Sequence, residues 1–513
     1  MGLVRVVYDS RWLFVVAGLL GYVAYKVHVY NRLKAFKGPF SSGWFEFWHS
    51  YAIIGDNQHL KYKEVCEKYG PIARIGPNDL ITSSRDVLTH MSAVRSPYSR
   101  VAWFHRSFRS GPEKNNLFSE TNEEVHTRRR QQLAPGYSGR ENAELEGTID
   151  VYVAKLVHLI RSKYLSTAAR SRAFDLGDRI QFFALDVINA IALGESLGDL
   201  DADADQHGYM RSVETGIKIS RVCTALGILP LLQSPVIARR FAPSEKDDAG
   251  FGRVMRHARA RILARLEQGT EHRSDMLASF VRHGLGTEEL VAESILQMIA
   301  GSDTSSTAIR CAMLYVMTHP PVYARLQAEV DAAAAGGSVP PVPGVVSDAV
   351  VKGLPYLQAV VKEAMRVHPP TTGLFPKRVP PGGDTVVVDG KPVFLPGGAN
   401  VSYAYYATHH DKQLFGEDAE DFRPERWLLE KDETKLAAML KTHELIFGYG
   451  RYQCLGKPIA LMEIAKVVFE LMRNFDWCLA RPEKPWKQEN LMGLFTQRDM
   501  FVLATDRIVT ATS

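Results

Sequence analysis

The sequence predicts a mainly α fold with a smaller β part, organised as one large domain behind an apolar amino-terminal segment. Three observations favour this fold class. Apolar residues recur with helical periodicity through most of residues 150–329. The segment from Val386 to Val401 has instead the pattern of short strands joined by an Asp-Gly turn. Neither an internal repeat nor a second strongly polar linker divides the chain.

The composition is that of a globular protein with a substantial core. The 513 residues are 46% hydrophobic and 23% charged, and the formal net charge is +5. Without a run of five like charges, nothing in the sequence indicates a nucleic-acid partner. The five cysteines are far apart and form no CxxC pair, which argues against a disulfide scaffold and fits a reducing compartment.

Residues 1–37 are predicted to be a membrane anchor followed by a basic linker, with a stiff hinge at Gly38-Pro39. The stretch from Trp12 to Tyr25 is uncharged and extends to Tyr30 if Lys26 snorkels, and a bilayer span needs ~20 apolar residues. A cleaved signal peptide is the alternative, but no small-residue cleavage site follows. Positive charges are more frequent after the stretch than before it, which predicts that the bulk of the chain is cytosolic. The residues compared are Lys26, Arg32, Lys34 and Lys37 after it, and Arg5 and Arg11 before it.

Three other segments carry structural predictions. Residues 332–344 are rich in alanine, glycine and proline, and we expect a connection without helix there. The acidic run from Asp199 to Asp205 is spaced like a calcium loop, but Ala204 and Met210 replace the required glycine and glutamate, so we expect a solvated loop. Asn400 starts a glycosylation sequon, but its strand-like setting on the cytosolic side predicts that it is unmodified.

Cys454 lies in a glycine-rich turn, FGYGRYQCLG at residues 447–456, ahead of a helix expected from near Pro458 to about Phe475. Glycines at 448, 450 and 456 permit positive φ and a close approach of the backbone to a flat ligand. The positive end of the helix should lower the pKa of a thiol placed just before it. Taken alone, a cysteine in such a turn is more often structural.

The whole pattern, with Phe447 and Gly448 ahead of Cys454, resembles the haem-binding loop of the cytochrome P-450 family. The resemblance implies the cytochrome P-450 fold and haem b, iron protoporphyrin IX, with the Cys454 thiolate as the axial iron ligand. The sequence departs from the family at one place. Two residues before the cysteine, where a basic residue commonly contacts a haem propionate, it has Tyr452, with Arg451 one place earlier. Which of the two makes that contact stays open.

The helix predicted from Thr287 to Thr318 contains a second matching segment. Gly301 weakens the middle of this helix by ~1 kcal/mol relative to alanine, so its presence needs a reason. In the resembled family this segment forms the oxygen-binding groove, where an acid and an alcohol relay protons. Asp303 and Thr304 match that pair and are the implied catalytic residues. Taken in isolation, this pair is better explained as two polar residues on a helix face.

Two further segments match the family at lower specificity. Glu363 and Arg366 stand three apart on a helix that ends before Pro369, and with Arg426 they resemble the family's structural Glu-Arg-Arg network. Upstream, His126 and Arg130 are one helical turn apart, a spacing at which the family carries propionate ligands.

Lys377 stands where the family often places another basic residue, though the adjacent Arg378 makes that assignment ambiguous. Apolar residues before His126, in the long helix and near the carboxyl end are expected to line the substrate pocket. They are Trp103, Phe104, Ile299, Ala300, residues 372–375 and Phe495.

Because the segments follow the family's order across residues 40–505, residues 38–513 are expected to form a haem-thiolate catalytic domain. The chain looks most like fungal microsomal members of natural-product pathways. It is therefore expected to insert one oxygen atom into an apolar terpenoid, polyketide or alkaloid, with NADPH-cytochrome reductase and, as a second candidate, cytochrome b5 as partners at the endoplasmic reticulum membrane.

A detoxifying or sterol-type monooxygenase and a haem-thiolate isomerase are the alternatives. A zinc enzyme or a dinucleotide enzyme is disfavoured, since HExxH and GxGxxG motifs are absent from the sequence. Apolar contacts with a substrate produce no recognisable sequence motif, so the sequence does not identify the substrate.

Overall fold

The structure is a computed structural model that describes residues 11–111, 114–270 and 272–507. Arg5, part of the predicted charge asymmetry, and the final six residues of the predicted catalytic domain lie outside this range. The described residues are mainly helical, with short strands, so the predicted fold class is confirmed.

The helices are α1 Arg11–Arg32, α2 Phe47–Ile54, α3 Gln58–Tyr69, α4 Arg85–Ser92, α5 Ala102–His105, α6 Glu123–Tyr137, α7 Leu145–Leu159, α8 Leu176–Leu193, α9 Asp199–Ala202, α10 Tyr209–Ala225, α11 Leu229–Leu232, α12 Pro235–Phe241, α13 Gly250–Glu267, α14 Met276–Arg282, α15 Thr287–Thr318, α16 Pro320–Ala335, α17 Asp348–Lys352, α18 Pro355–Val367, α19 Tyr405–His409, α20 Lys412–Phe415, α21 Arg426–Leu429, α22 Glu433–Glu444 and α23 Lys457–Asn474.

The strands are β1 Ile72–Arg74, β2 Asp79–Thr82, β3 Ser99–Arg100, β4 Leu165–Ser166, β5 Phe174–Asp175, β6 Lys377–Arg378, β7 Asp384–Val388, β8 Lys391–Leu395, β9 Asn400–Tyr403, β10 Phe475–Leu479, β11 Lys487–Leu491, β12 Leu494–Arg498 and β13 Phe501–Asp506.

Helix α1 contains the apolar stretch that the sequence predicts to be an anchor. Its residues Trp12–Arg32 include an 18-residue window with a mean hydropathy of 1.5. Their apolar side chains are exposed, as Leu13 and Leu20 show. By length and composition, this helix could cross a bilayer.

Helix α15 runs through the centre of the domain, with the bounds that the sequence predicts. It packs against α8, α13, α18 and α23. Gly301 has a packing reason, because a Cβ there would lie 2.6 Å from Cγ1 of Ile188 on α8. The glycine lets these two helices approach closely, which offsets its low helix propensity.

The largest sheet has the strand order β1-β2-β9-β6-β3. Its inner strand β9 pairs parallel with β2 and antiparallel with β6, and all four of its residues are buried, Asn400 among them. Strands β10, β13 and β4 form a second sheet, in which β5 also pairs with β13, and β11 and β12 form a hairpin. The predicted Asp-Gly turn joins β7 to β8, with positive φ at both Asp389 and Gly390.

Two predictions about loops need correction. Helix α16 continues to Ala335, because four consecutive alanines favour helix, so the connection starts only at Gly336. The acidic run is not a solvated loop: it begins with α9, and Asp199 is buried. Asp203 pairs with Lys163 and Arg179 at 2.9 Å each, so neighbouring cations from α8 and from the segment after α7 compensate its charge.

Candidate active site

The turn around Cys454 is held by its own backbone. The amide of Cys454 donates to the carbonyl of Phe447 at 2.7 Å, and α23 begins three residues later. Gly448 and Gly450 have positive φ, and a Cβ at these residues would lie 2.8 Å from the Tyr452 carbonyl oxygen and 2.2 Å from the Ser92 carbonyl oxygen. The sequence correctly predicts positive φ at these two glycines.

Gly456 differs, since its φ is −79°. A Cβ there would lie 3.8 Å from the Cys454 sulfur, an ordinary contact distance. Positive φ is therefore not the reason for the third glycine.

The sulfur of Cys454 faces a cavity, and the surrounding groups shift the pKa of this thiol in opposite directions. Burial raises the pKa of the Cys454 thiol. The amide of Gly456, the charge of Arg130 and the amide of Lys457 act in the opposite direction. The sequence predicts that the start of the helix lowers the pKa of this thiol. In the structure the effect of burial is larger, and the pKa lies above its ordinary value. A positive partner in the cavity, such as a metal ion, would complete the stabilisation of a thiolate.

The cavity that Cys454 faces, which we term the main cavity, has a volume of about 380 Å³ and lies between α15, α6, the cysteine turn and β6. Apolar side chains form most of its wall. The predicted residues Phe447 and Gly448 lie in this wall beside the cysteine, and Leu296, Ile299 and Ala300 of α15 face it from another side.

A group of cations and polar side chains lies on one side of the main cavity. His126, Arg130, Lys377 and Tyr452, all predicted from the sequence, line it. Lys377 rather than Arg378 faces inward, because neighbouring residues of strand β6 point to opposite sides and Arg378 is exposed. Of the two, Lys377 is the one that lines the main cavity.

Arg100 also lines the main cavity, and the sequence analysis missed it. It is buried on β3, where it pairs with Lys377 of β6, and two of its side-chain nitrogens, Nε and Nη2, have no hydrogen-bond acceptor within the described residues. An arginine next to the apolar segment 101–104 is the only sequence signal that could have pointed to it.

Arg451 is placed differently from Tyr452. Its guanidinium donates to the carbonyl of Ser96 and lies 3.8 Å from Glu123, so it braces the turn from outside the main cavity. The Tyr452 hydroxyl and Nδ1 of His126 are buried and have no hydrogen-bond partner within the described residues. Of the two alternatives at the family's basic position, Tyr452 is the one that faces the cavity.

This group carries more positive charge than its neighbours compensate. Burial, then the charges of Arg100 and Lys377, lower the pKa of His126 to about 2. Burial and the charge of Arg100 also hold the pKa of Lys377 well below its ordinary value. Unpaired buried donors with excess positive charge fit a ligand that carries carboxylates, as the propionates of haem do.

Thr304 and Asp303 line different cavities. Thr304 lines the main cavity, and its hydroxyl donates to the carbonyl of Ala300 at 2.7 Å. Asp303 instead lines a second, smaller cavity, and its carboxylate accepts a hydrogen bond from Nε2 of Gln181 at 2.7 Å. Burial raises the pKa of Asp303 to about 6. The predicted pair therefore does not share one surface.

Four of the nine predicted lining residues are in place. Phe104, Ile299, Ala300 and Phe375 line the main cavity. The other five do not line it: Gly373 and Leu374 are absent from its wall, and the remaining three side chains have partners elsewhere. Trp103 packs edge-on to His49, the Thr372 hydroxyl accepts from Asn490 at 2.9 Å, and Phe495 lies against His368. Met492 and Leu494, at and beside the start of β12, occupy the wall instead.

Glu363, Arg366 and Arg426 form the predicted network. One oxygen of Glu363 accepts from Arg366 at 2.8 Å and from Arg426 at 3.0 Å, and the other accepts from the indole of Trp427 at 2.8 Å. Arg366 also donates to the carbonyls of His409 and Ala419. All three charges are buried and paired, as buried charges need to be.

A cysteine sulfur that faces a large apolar cavity, with buried cations at one side, is typical of a haem-thiolate pocket. The comparisons with known proteins agree. The sequence profile of the family Cytochrome P450 matches residues 38–504.

Cytochrome P450 monooxygenase ABA1 of Pyricularia oryzae is 38% identical, over 94% of this chain and 94% of that protein. The aba1 monooxygenase of Botryotinia fuckeliana is 35% identical over 90% and 89%, and abl1 of Leptosphaeria maculans is 32% identical over 88% and 79%.

The chain belongs to the cytochrome P450 family. It is a P450 monooxygenase, and its cofactor is a haem iron with a thiolate ligand.

Proposed function

We propose that the chain oxidises an apolar small molecule of fungal secondary metabolism by inserting one atom of dioxygen, with Cys454 as the axial ligand of the haem iron. The observation that carries this proposal is the position of the Cys454 sulfur in the wall of the main cavity, which the buried cations Arg100 and Lys377 also line. The fungal origin of the relatives supports the metabolic setting.

The residues of the cavity have separate roles in this proposal. Arg100, His126, Arg130 and Lys377 hold the haem carboxylates with their side-chain nitrogens, and the ring of Tyr452 positions the cations among them. Phe447 and Gly448 shape the turn against the haem, and Arg451 braces that turn. When bound, the haem iron supplies the activation of dioxygen by which an oxygen atom enters a C–H bond.

The opposite part of the cavity receives the substrate. Phe104, Ile188, Leu296 and Leu494 offer apolar walls, which favour a substrate with few polar groups and exclude water from it. Thr304 faces this space and, together with Asp303, moves protons to the reacting centre. The substrate belongs to an apolar terpenoid, polyketide or alkaloid class.

Residues 1–37 form a single-pass anchor in the endoplasmic reticulum membrane, and residues 38–513 form the cytosolic catalytic domain. The length and exposed apolar side chains of α1 support the anchor, and the family match that begins at residue 38 supports the division. NADPH-cytochrome reductase, with cytochrome b5 as a second donor, delivers the electrons.

Spectroscopy of the purified, full-length protein tests the haem ligation. The reduced carbon monoxide complex should absorb near 450 nm in the wild type, and Cys454→Ser should lose this band. A wild-type band near 420 nm would count against ligation by Cys454. Cys478→Ser, which changes an exposed cysteine elsewhere, is the matched control.

A turnover assay tests the reaction. With added reductase, a panel of terpenoid, polyketide, alkaloid and sterol compounds should include one that increases NADPH consumption and gains one oxygen atom. Product without any reductase would indicate a haem-thiolate isomerase instead. A product only from sterols would move the substrate class to the sterol alternative.

A further inference from the structure

Asp303 lies in a second cavity, which we term the side cavity, on the face of α15 that turns away from Thr304. The side cavity lies between α8, α10, α15 and the β11–β12 hairpin, and its volume is about 40 Å³. A cavity of this size has room for roughly two or three water molecules. Leu494 lines both cavities, so one apolar side chain separates them at that point.

Gln181 on α8 fixes the direction of the Asp303 carboxylate. The Oε1 atom of Gln181 accepts from the hydroxyl of Ser306 at 2.7 Å and from Nη2 of Arg310 at 3.0 Å. Because an arginine can only donate, this atom has to be the amide oxygen, and the amide nitrogen has to face Asp303. Arg310 itself is anchored to the carbonyl of Gly177 at 2.6 Å.

The wall of the side cavity is polar around the carboxylate and carries both signs of charge. The charged and titratable groups around Asp303 are Arg310 on α15, Asp175 and Asp178 at the start of α8, Tyr209 and Glu214 on α10, and Arg498 on β12. Glu214 and Arg498 form an ion pair with each other. The negative charge of Glu214 is therefore compensated by Arg498. Arg310 is the cation nearest to Asp303 along α15.

We propose that Gln181 is a positioning residue that holds the carboxyl group of Asp303 in the side cavity, where this group takes up protons from water. The proposal rests on the monooxygenase function proposed above and adds the route by which its protons enter. A water molecule in the side cavity protonates the carboxylate and regains a proton from bulk solvent. Once the bond to Gln181 breaks, the carboxyl turns and releases its proton toward the hydroxyl of Thr304. One proton moves from solvent to the main cavity, and no other bond changes.

The bond from Gln181 stabilises the ionised carboxylate, and it therefore lowers the pKa of Asp303 against the effect of burial. Gln181→Leu should raise the pKa of Asp303 from about 6 by about one to two pH units, because a hydrogen bond to a charged group is lost. The infrared C=O band of the protonated carboxyl, assigned by its loss in Asp303→Asn, measures this pKa in the haem-loaded protein without turnover.

The matched control is Gln327→Leu. Gln327 is also buried, donates to the carbonyl of Met472, and lies on α16 away from both cavities. If Gln181→Leu fails to fold, Gln181→Glu retains the acceptor for Arg310 and Ser306 and loses only the donor to Asp303. This variant should raise the pKa of Asp303 as well, since it adds a carboxylate.

The second readout is coupling, the amount of product formed per NADPH consumed. The proposal expects Gln181→Leu to shift the infrared midpoint upward and to lower coupling at least threefold at pH 7, whereas Gln327→Leu changes neither. An unchanged midpoint would show that Gln181 does not position Asp303. A shifted midpoint with unchanged coupling would show that protons enter by another route. The function proposed above would stand in that case if Thr304→Ala still lowered the amount of product formed per NADPH. Wild-type protein without reductase-dependent turnover would refute that function, and the infrared midpoint would still report on the Gln181 bond.

Discussion

The ammonium nitrogen of Lys377 lies 3.0 Å from the centre of the Tyr452 ring, and both side chains face the main cavity. The guanidinium carbons of Arg100 and Arg451 lie 5.2 Å and 5.5 Å from the same ring. The aromatic face thus gathers three cations where the family commonly has one basic side chain. The departure at Tyr452 is explained by this ring, which positions cations supplied by other segments.

Replacing Tyr452 should loosen the haem through the ring rather than the hydroxyl. A cation–π contact contributes ~0.5–2 kcal/mol, so Tyr452→Leu should release haem about 2- to 30-fold faster than the wild type. Tyr452→Phe keeps the ring and should stay close to the wild type. Transfer of haem to excess apomyoglobin measures the rate. Equal rates for the two variants would assign the effect to the hydroxyl instead.

Arg100 should contribute more to haem retention than its sequence context suggests. Hydrogen bonds to charged groups are worth ~1.5–3 kcal/mol, so Arg100→Gln should accelerate haem loss about 10- to 150-fold. Arg378→Gln is the matched control, because Arg378 lies on the paired strand β6 but is exposed. An Arg100→Gln rate equal to that of the control would show that Arg100 makes no contact with the haem.

The Glu363 network should matter for folding. Removing one member leaves buried charges without a partner, which costs about 3–5 kcal/mol. Glu363→Gln should therefore lower the free energy of unfolding by about that amount, measured by urea denaturation at pH 7. The exposed Glu433 on α22 provides a control, and Glu433→Gln should change the stability by under about 0.5 kcal/mol. Similar midpoints for the two variants would contradict a structural role for the network.

Most of the site residues were predicted from short local motifs. Cys454, His126, Arg130 and Glu363 each lie in a short segment whose spacing places their side chains relative to a helix or turn, and the structure brings them where that spacing suggests. The sequence could not place Arg100, because its role depends on pairing between β3 and β6, strands separated by more than 270 residues. Pairing at that range leaves no local pattern.

For a related reason, the sequence could not predict which way the Asp303 side chain points. Neighbouring residues on a helix differ by about 100° in direction, so Asp303 and Thr304 face different surroundings even though their adjacency suggests a pair. The partner that holds Asp303 is Gln181, which comes from α8 more than 120 residues earlier. The pocket residues at β12 were missed similarly, since a one-residue shift moves a strand's side chains to the other face.

Glu463 on α23 should make stability depend on pH. Burial raises its pKa to about 8, while a hydrogen bond with Ser305 opposes that rise. The folded protein therefore keeps this proton where the unfolded chain, with a pKa near 4.5, has lost it. Stability from this group is fully present below pH 4.5 and falls as the pH rises toward 8. The free energy of unfolding of Glu463→Gln should exceed that of the wild type increasingly between pH 5 and pH 8, and parallel pH profiles would contradict the assignment.

Thr304→Ala should separate electron consumption from product formation. The Thr304 hydroxyl faces the main cavity and is already ordered by its bond to the carbonyl of Ala300, so its loss removes the one polar side chain of residues 300–304 that lines this cavity. Positioned proton transfer contributes ~10²–10⁴-fold to a rate, so product per NADPH should fall about tenfold or more, with hydrogen peroxide taking up the difference. Thr304→Ser retains the hydroxyl and should stay within about twofold of the wild type. Because Thr304→Ala leaves the apolar wall intact, substrate affinity measured by the spectral shift on binding should change little. A loss of affinity equal to the loss of coupling would instead identify Thr304 as a substrate contact.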